Sequence, residues 1–314
     1  LTMKRIKVIL LGWVFIACVC PLQAQDLAIS LSLKTPGNPS ETSLLKQQGQ
    51  SWKDSGPLNM VSSMTKDGDD ELLTVTLSAR EKVFFHIDLS LNTELSSKES
   101  EFYMPGFWYH RNMRSPQEAP SFRTSKHWNF REDRMSTPLT SAFNPRSEKG
   151  ISVLRVLDAS RDVQVQLTTG EVILPGRTTV GYAGFDGDGS TVALKFGYPY
   201  KETPKRYIRK LTLSDAITTF AELDKGEQQV LRWRIHRYKA KDFGNFVTQV
   251  WQYSYDHMRP QPLKSSYTGA EVKAALSDYF RYSFVDSYPI KFNSGLSLRG
   301  IGRASCRERV SSPV

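Results

Sequence analysis

From Leu27 to Tyr238 the dominant apolar period is two, a period that an extended strand with one buried face uses. Leu73-Val75-Leu77, Phe85-Ile87-Leu89-Leu91, Val163-Val165-Leu167, Val192-Leu194-Phe196 and Leu231-Trp233-Ile235 each place one apolar stripe on one face with polar residues between. Half-buried antiparallel strands carry this signature. The stripes are separated by turn chemistry at Asp67-Gly68, Pro175-Gly176, Asp186-Gly187-Asp188-Gly189 and Lys225-Gly226, where glycine supplies positive φ without steric cost. Many short strands with regular turns and no helices between them predict a mainly β chain built as a large antiparallel β-sandwich over residues 26–240.

The period changes near Asp242. Phe243, Phe246, Val247, Val250, Trp251 and Ser254 follow helical spacing, Asp242 stands where an N-cap is needed, and Pro260 stops the element. Thr268-Gly269-Ala270-Glu271 then fits a capping box, with Val272, Ala275, Leu276, Tyr279 and Phe280 as the expected buried face of a second helix. Two successive helices with apolar stripes predict an α-helical hairpin over 241–300 that begins an incomplete (α/α) toroid. Trp233 and Trp251 are both expected in the core, and His86 and His236, on the polar faces of their strands, in solvent.

The two ends carry different signals. Met3-Lys4-Arg5-Ile6-Lys7 is a positive n-region, Val8 to Val19 an apolar run and Leu22-Gln23-Ala24-Gln25 a small-residue exit, so residues 1–25 read as a secretory signal peptide and Leu1-Thr2 as upstream readthrough. The run is too short for a comfortable membrane span, and no later stretch approaches one. Export to the periplasm or the extracellular space is expected, with no membrane span. Phe15-Ile16-Ala17-Cys18 offers an alternative, a lipoprotein box with a lipid anchor on Cys18, but Phe at its first position departs from that pattern. Residues 301–314 read like one frame of a sequencing adapter, and the natural protein is expected to continue past Gly300.

Setting the ends aside changes the charge and cysteine arguments. The formal charge of +10 includes three cations of the n-region and a net +2 from the tail, leaving +5 for residues 26–300. That is mildly basic, and without basic runs interleaved with aromatics it gives no case for nucleic acid. Cys18, Cys20 and Cys306 all fall outside residues 26–300, which removes disulfides, thiolate catalysis and cysteine metal sites from that region. No cofactor or metal motif is present, and Asp186-Gly187-Asp188-Gly189 fails as a calcium loop because its twelfth position is Gly197 rather than a bidentate Glu.

One stretch, Phe102 to Asn144, has neither period and is crowded with aromatic and charged residues. Long irregular segments in compact domains are commonly functional, and disorder fits poorly with so many aromatics. Within it Trp108, Tyr109 and His110 could stack on a sugar ring and hydrogen-bond beside it, or could pin the segment into the core. Arg131, Glu132, Asp133 and Arg134 could clamp ligand hydroxyls, since carboxylates accept and guanidinium donates in a planar fork, or could be an ion-paired anchor.

The order of elements, with Met104-Pro105-Gly106-Phe107-Trp108-Tyr109 and Arg131-Glu132-Asp133-Arg134-Met135-Ser136-Thr137-Pro138-Leu139, resembles the N-terminal part of secreted bacterial six-hairpin glycosidases. The resemblance implies a sandwich preceding an (α/α)6 barrel whose helices carry the catalytic carboxylates, which would lie beyond Gly300. It implies a truncated, exported glycoside hydrolase, or a lyase of similar architecture, acting on a carbohydrate substrate. The alternatives are a non-catalytic glycan-binding sandwich and a sandwich that only buttresses a downstream domain.

Overall fold

The computed structural model describes residues 27–45, 47–48, 51–52, 56–113, 119–156, 168–209, 212–260, 266–282, 284–285 and 292–293. The Val163–Leu167 stripe lies outside them. Strands β1 (Leu27–Lys34), β2 (Glu41–Leu44), β3 (Gln47–Gln48), β4 (Ser51–Trp52), β5 (Leu58–Asp67), β6 (Asp70–Ala79) and β7 (Val83–Ser96) come first. Then follow β8 (Glu101–Met104), β9 (Trp108–His110), β10 (His127–Arg131), a 3-10 turn at Glu132–Arg134, β11 (Leu139–Asn144) and β12 (Lys149–Val156). Strands β13 (Gly170–Ile173), β14 (Tyr182–Asp186), β15 (Thr191–Tyr198), β16 (Lys201–Arg209), β17 (Thr212–Leu223) and β18 (Gln228–Lys239) complete the sheets. Helices α1 (Phe243–Met258) and α2 (Gly269–Tyr282) and the short strands β19 (Phe284–Val285) and β20 (Phe292–Asn293) follow.

The chain is mainly β, with two large sheets and two helices, as the alternation predicts. One sheet runs β13-β17-β16-β10-β14-β15-β7-β1-β2 and the other β5-β6-β18-β12-β11-β8-β9. Pairing is antiparallel apart from β13 on β17. The end of β17 also pairs with β7, Ala221 opposite Phe85, so six strands of the first sheet close into a ring. The Asp67-Gly68 and Lys225-Gly226 turns hold as expected, Gly68 at φ +65° and Gly226 at φ +83°.

Between the sheets lies one continuous apolar core. Ile29, Ile87, Phe130, Phe185, Leu194 and Phe196 of the first sheet meet Leu73, Val75, Phe102, Val153, Trp233 and Ile235 of the second. Phe102 stacks on Phe185 at 4.0 Å and Phe196 meets Trp233 at 5.3 Å. Each such fully buried side chain contributes about 1.5–3 kcal/mol. Trp233 is in the core, as expected.

A second core lies outside the seven-stranded sheet. Phe246, Val250 and Ser254 of α1 are buried at helical spacing against Tyr103, Leu139, Phe143, Leu154 and Tyr238. Phe246 stacks on Phe143 at 5.0 Å, and Gly150 beneath it has no room for a Cβ, which would fall 2.4 Å from the ring. Asp242 is the N-cap, its Oδ1 accepting from the Asn245 N–H at 2.7 Å. The stripe is narrower than the spacing suggests. Trp251 is 55% exposed, stacked on Tyr255, because one residue past Val250 a helix has turned by about 100° away from the buried seam.

Helix α2 lies in a separate compact unit, residues 259–314. Its capping box forms as read, Thr268 N–H donating to Glu271 Oε2 at 2.6 Å and Glu271 N–H to Thr268 Oγ1 at 3.2 Å. Val272, Leu276 and Phe280 are exposed rather than buried. Capping and periodicity specify that the helix forms, and neither supplies a surface for its stripe.

Much of the Phe102–Asn144 stretch is regular structure, with the described residues 111–113 and 119–126 in turns and loop between β9 and β10. It forms β8, β9, β10, the 3-10 turn and β11, and its period is hidden because β11 is buried on both faces, by the inter-sheet core and by α1.

Asp70 ties α1 to the sheet. It is 4% exposed and accepts from His236 Nδ1 at 2.6 Å, Arg234 at 3.1 Å and the Tyr253 hydroxyl of α1 at 2.8 Å, with His257 Nε2 at 3.5 Å. His236 is therefore half-buried beneath the Tyr253 ring instead of facing solvent. Burial alone would raise the Asp70 pKa; the Tyr253 and His236 bonds outweigh it and hold it below 3.8. A folded carboxyl that titrates below its unfolded value stabilises above that value and loses the contribution as pH falls through the folded one. Asp70→Ala is expected to cost about 3–5 kcal/mol at neutral pH, since Arg234 and His236 lose their acceptor. Urea unfolding followed from neutral pH to below 3.8 checks this: the gap between wild type and variant closes at the acid end.

Candidate functional site

Strand parity sets out a polar lattice on the face of the nine-stranded sheet turned away from the core. Residues paired across β1, β7, β15, β14 and β10 form the row Ser30, Asp88, Gly197, Tyr182, Arg131. The next row is Ala28, Ser90, Lys195, Gly184, Asn129, and beyond it Ala193 pairs with Asp186 and Asp186 with His127. Glycine or alanine at 28, 184, 193 and 197 leaves lattice points without bulk. Around them opens a groove of about 420 Å³, lined by Ser30, Asp88, Asn129, Asp186, Lys195 and Lys201 among others.

Asp88 is its hub. Strands two apart in a sheet are separated by roughly 9.5 Å, too far for a cross-strand contact unless the intervening residue is small. Gly197 is that residue. Tyr182 lies across it and its hydroxyl donates to Asp88 Oδ1. A Cβ at 197 would fall 2.6 Å from the Tyr182 ring and 2.1 Å from the Ile87 carbonyl. Lys201 Nζ donates to the same Oδ1, and His86 Nε2 lies 3.3 Å from it. His86 Nδ1 faces the Thr219 carbonyl at 2.9 Å, which can only accept, so Nδ1 carries a hydrogen, and Nε2 donates to Asp88 Oδ1 when the ring is the imidazolium. This corrects the solvent-facing reading of His86: its ring is fully buried, stacked on Tyr182 and tilted against Phe220 of β17.

The electrostatics follow from this convergence. Burial would raise the Asp88 pKa, but the charges and hydrogen bonds of His86 and Lys201 hold it well below the ordinary carboxylate range. Burial and the adjoining carboxylate push Tyr182 well above the usual phenol range. All three contacts fall on Oδ1, so among the described residues Oδ2 accepts no hydrogen bond, and the side chain is 28% exposed. Asp88 therefore presents an ionised acceptor to the groove at neutral pH. Lys195 Nζ donates to Ser90 Oγ at 2.9 Å. Its pKa is lowered by burial and by neighbouring Lys201, against the opposing pull of Asp186 and Asp88. Asn129 Nδ2 donates to Thr203 Oγ1 at 2.6 Å, while its buried Oδ1 has no partner among the described residues.

The residues singled out in the sequence lie elsewhere. Trp108 is fully buried in the inter-sheet core, its Nε1 donating to the His110 carbonyl at 2.9 Å, so its ring serves the core and presents no platform. Tyr109 is 48% exposed and tilts against Tyr103 at 5.2 Å. Burial and Tyr109 push the Tyr103 phenol up to about 12. His110, at φ +53°, pairs with Glu101 and stacks on Phe243 at the start of α1, 3.9 Å away.

Arg131 Nε donates to Asp133 at 2.9 Å, and its guanidinium lies over Tyr200. Glu132 is buried, accepts from the Gly181 N–H at 2.8 Å, and has its pKa raised by burial despite the charge of Arg155. Arg134 spans Glu202 at 2.6 and 3.3 Å, and Glu202 is raised by burial against the pull of Arg134. All four charges are thus engaged within the protein, the arrangement of an anchor. The two aromatic and charged sequence words meet each other: the Ser136 N–H donates to the Pro105 carbonyl at 2.8 Å, and a Cβ on Gly106, at φ +76°, would fall 2.2 Å from Ser136 Oγ. They do not converge with the groove residues, which the sequence reading passed over although His86-Ile87-Asp88 places two ionisable groups on one strand face.

No protein-family model matches the chain, and no curated protein matches it. Among solved structures, a polysaccharide lyase aligns over 72% of this chain and 27% of its own, at 10% identity and TM-score 0.32. A protein named as an aldose 1-epimerase from Klebsiella pneumoniae aligns over 72% and 56%, at 10% identity and TM-score 0.37. One named as a kojibiose phosphorylase from the human microbiome aligns over 78% and 23%, at 6% identity and TM-score 0.30. All three names are of carbohydrate-acting proteins, and the chain spans less than two thirds of the length of each. Among the described residues no helix is long and apolar enough to cross a membrane.

The lattice predicts the effect of two substitutions. Gly197→Ala is expected to displace Tyr182 from Asp88, and Lys201→Met to remove the hub's lysine. In each the Asp88 carboxyl pKa rises toward 3.8, as followed by NMR titration of its side-chain carbon, and stability at neutral pH drops by about 1–3 kcal/mol.

Proposed function

We propose that this chain is the glycan-recognising sandwich of an exported carbohydrate-active enzyme, and that the groove over Asp88 receives the sugar. The observation that carries the reading is the free Oδ2 of an Asp88 whose Oδ1 is saturated by Tyr182, Lys201 and His86. A carboxylate fixed in this way accepts hydroxyl hydrogens in a defined direction, and charge-assisted bonds of this kind are roughly twice as strong as neutral ones. Around it Ser30, Asn129, Asp186 and Lys195 supply further donors and acceptors. A polyol matches such walls; an apolar ligand would leave them desolvated and unpaired. The groove also falls within the size range of small-molecule sites, about 300–1,000 Å³.

Asp88 is not suited to be the general acid of glycoside cleavage. A glycosidic general acid needs a raised pKa, and Asp88 is held far below the ordinary range. Hydrolysis is assigned to a helical domain, as the six-hairpin resemblance implies, and export to the segment over residues 1–25. The same low pKa favours, as a second reading, a secreted glycan-binding protein without catalysis. Release of reducing ends from bound oligosaccharide separates the two.

Calorimetric titration of the purified protein with an oligosaccharide panel tests the groove. Binding is expected, and Asp88→Asn is expected to weaken it by about ten- to hundredfold, the loss of one or two bonds to a charged acceptor. Trp108→Ala would instead destabilise the protein by about 3–5 kcal/mol through a core cavity. Unchanged affinity in a folded Asp88→Asn variant would remove the groove from consideration.

A further inference from the structure

We propose that the groove selects acidic glycans, with Lys195 as the residue that meets the anionic substituent on the sugar. The inference rests on the glycan reading of the groove and goes on to name the class of sugar. Two ammonium groups line it, and they are not equivalent. Lys201 is neutralised, its Nζ on Asp88 Oδ1. Lys195 donates to the neutral hydroxyl of Ser90 and, among the described residues, forms no ion pair. It is half-buried, one lattice row from Asp88, on a strand whose neighbours at that row are Gly184 and Ser90. Nothing bulky stands beside it.

A half-buried cation with one neutral partner is incompletely solvated, and an incoming anion supplies what it lacks. The direction of its titration agrees: burial and Lys201 oppose its charge, and an anion bound there would favour it. Asp186 and Asp88 favour the charge of Lys195, but among the described residues neither forms an ion pair with it. An acidic sugar then spans the two rows, its carboxylate or sulfate on Lys195 and its hydroxyls on Asp88 Oδ2. A neutral sugar lacks the anion that pairs with the Lys195 ammonium.

The test uses the full chain and three matched oligosaccharide series: a neutral one, a uronate one and a sulfated one, titrated calorimetrically at low and high salt. Wild type is expected to bind a uronate or sulfated series about tenfold or more tighter than the neutral one, the preference shrinking with salt. Which acidic series binds tells carboxylate from sulfate. Lys195→Met should lose the preference for the acidic series over the neutral one, and Lys195→Arg should restore most of it. Equal affinity for neutral and acidic series, or a preference unchanged in Lys195→Met, overturns this inference and leaves the groove a neutral-sugar site. No binding of any series overturns both it and the glycan reading.

Discussion

Every polar group in the groove owes its position to the parity that the inter-sheet core imposes. Ile87, Leu89 and Leu91 must face Trp233 and its neighbours, so His86, Asp88 and Ser90 must face the other way. A one-residue slip of β7 would exchange the two sets, burying Asp88 between the sheets without a partner and exposing the apolar stripe. The core thus fixes the register, and the register places Asp88, Gly197 and Tyr182 in one row. Stability and site geometry share one cause.

Within that frame the site is made by absent side chains as much as by present ones. A uniform polar face would be a flat, solvated surface. Gly197 lets Tyr182 reach across a strand, and the bare points at Ala28, Gly184 and Ala193 let the polar rows sink into a groove. Burial then does the chemical work, because Asp88, Tyr182 and Lys195 are each perturbed by removal from water, and their neighbours decide which charge survives.

Much of the fold was legible because the half-buried strands announce themselves. β6, β7, β15 and β18, the Gly68 and Gly226 turns, the Asp242 cap and the Thr268 capping box all follow from local sequence. The reading went astray where burial came from both sides. β8 to β11 lost their alternation under α1, His86 was covered by β17, and Trp108 of β9 looked available when it was core. The groove was illegible for a further reason: Asp88 stands 94 residues from Tyr182 and 113 from Lys201 in the chain. Only the register of β7, β15 and β14 brings them together, and no local pattern encodes it.

The charged residues show how similar composition yields different roles. Arg131, Glu132, Asp133 and Arg134 form a dense cluster in the sequence, yet each finds an internal partner, down to Arg134 on the fully buried Glu202. Removing either member of such a pair strands a buried charge, so that cluster is committed to holding the 3-10 turn against β16. Lys195 is isolated in the sequence and has a single hydroxyl partner in the fold. What frees a charged group to meet a ligand is an unsatisfied environment, and Lys195 and the Asp88 Oδ2 have one where the Arg131–Arg134 cluster does not.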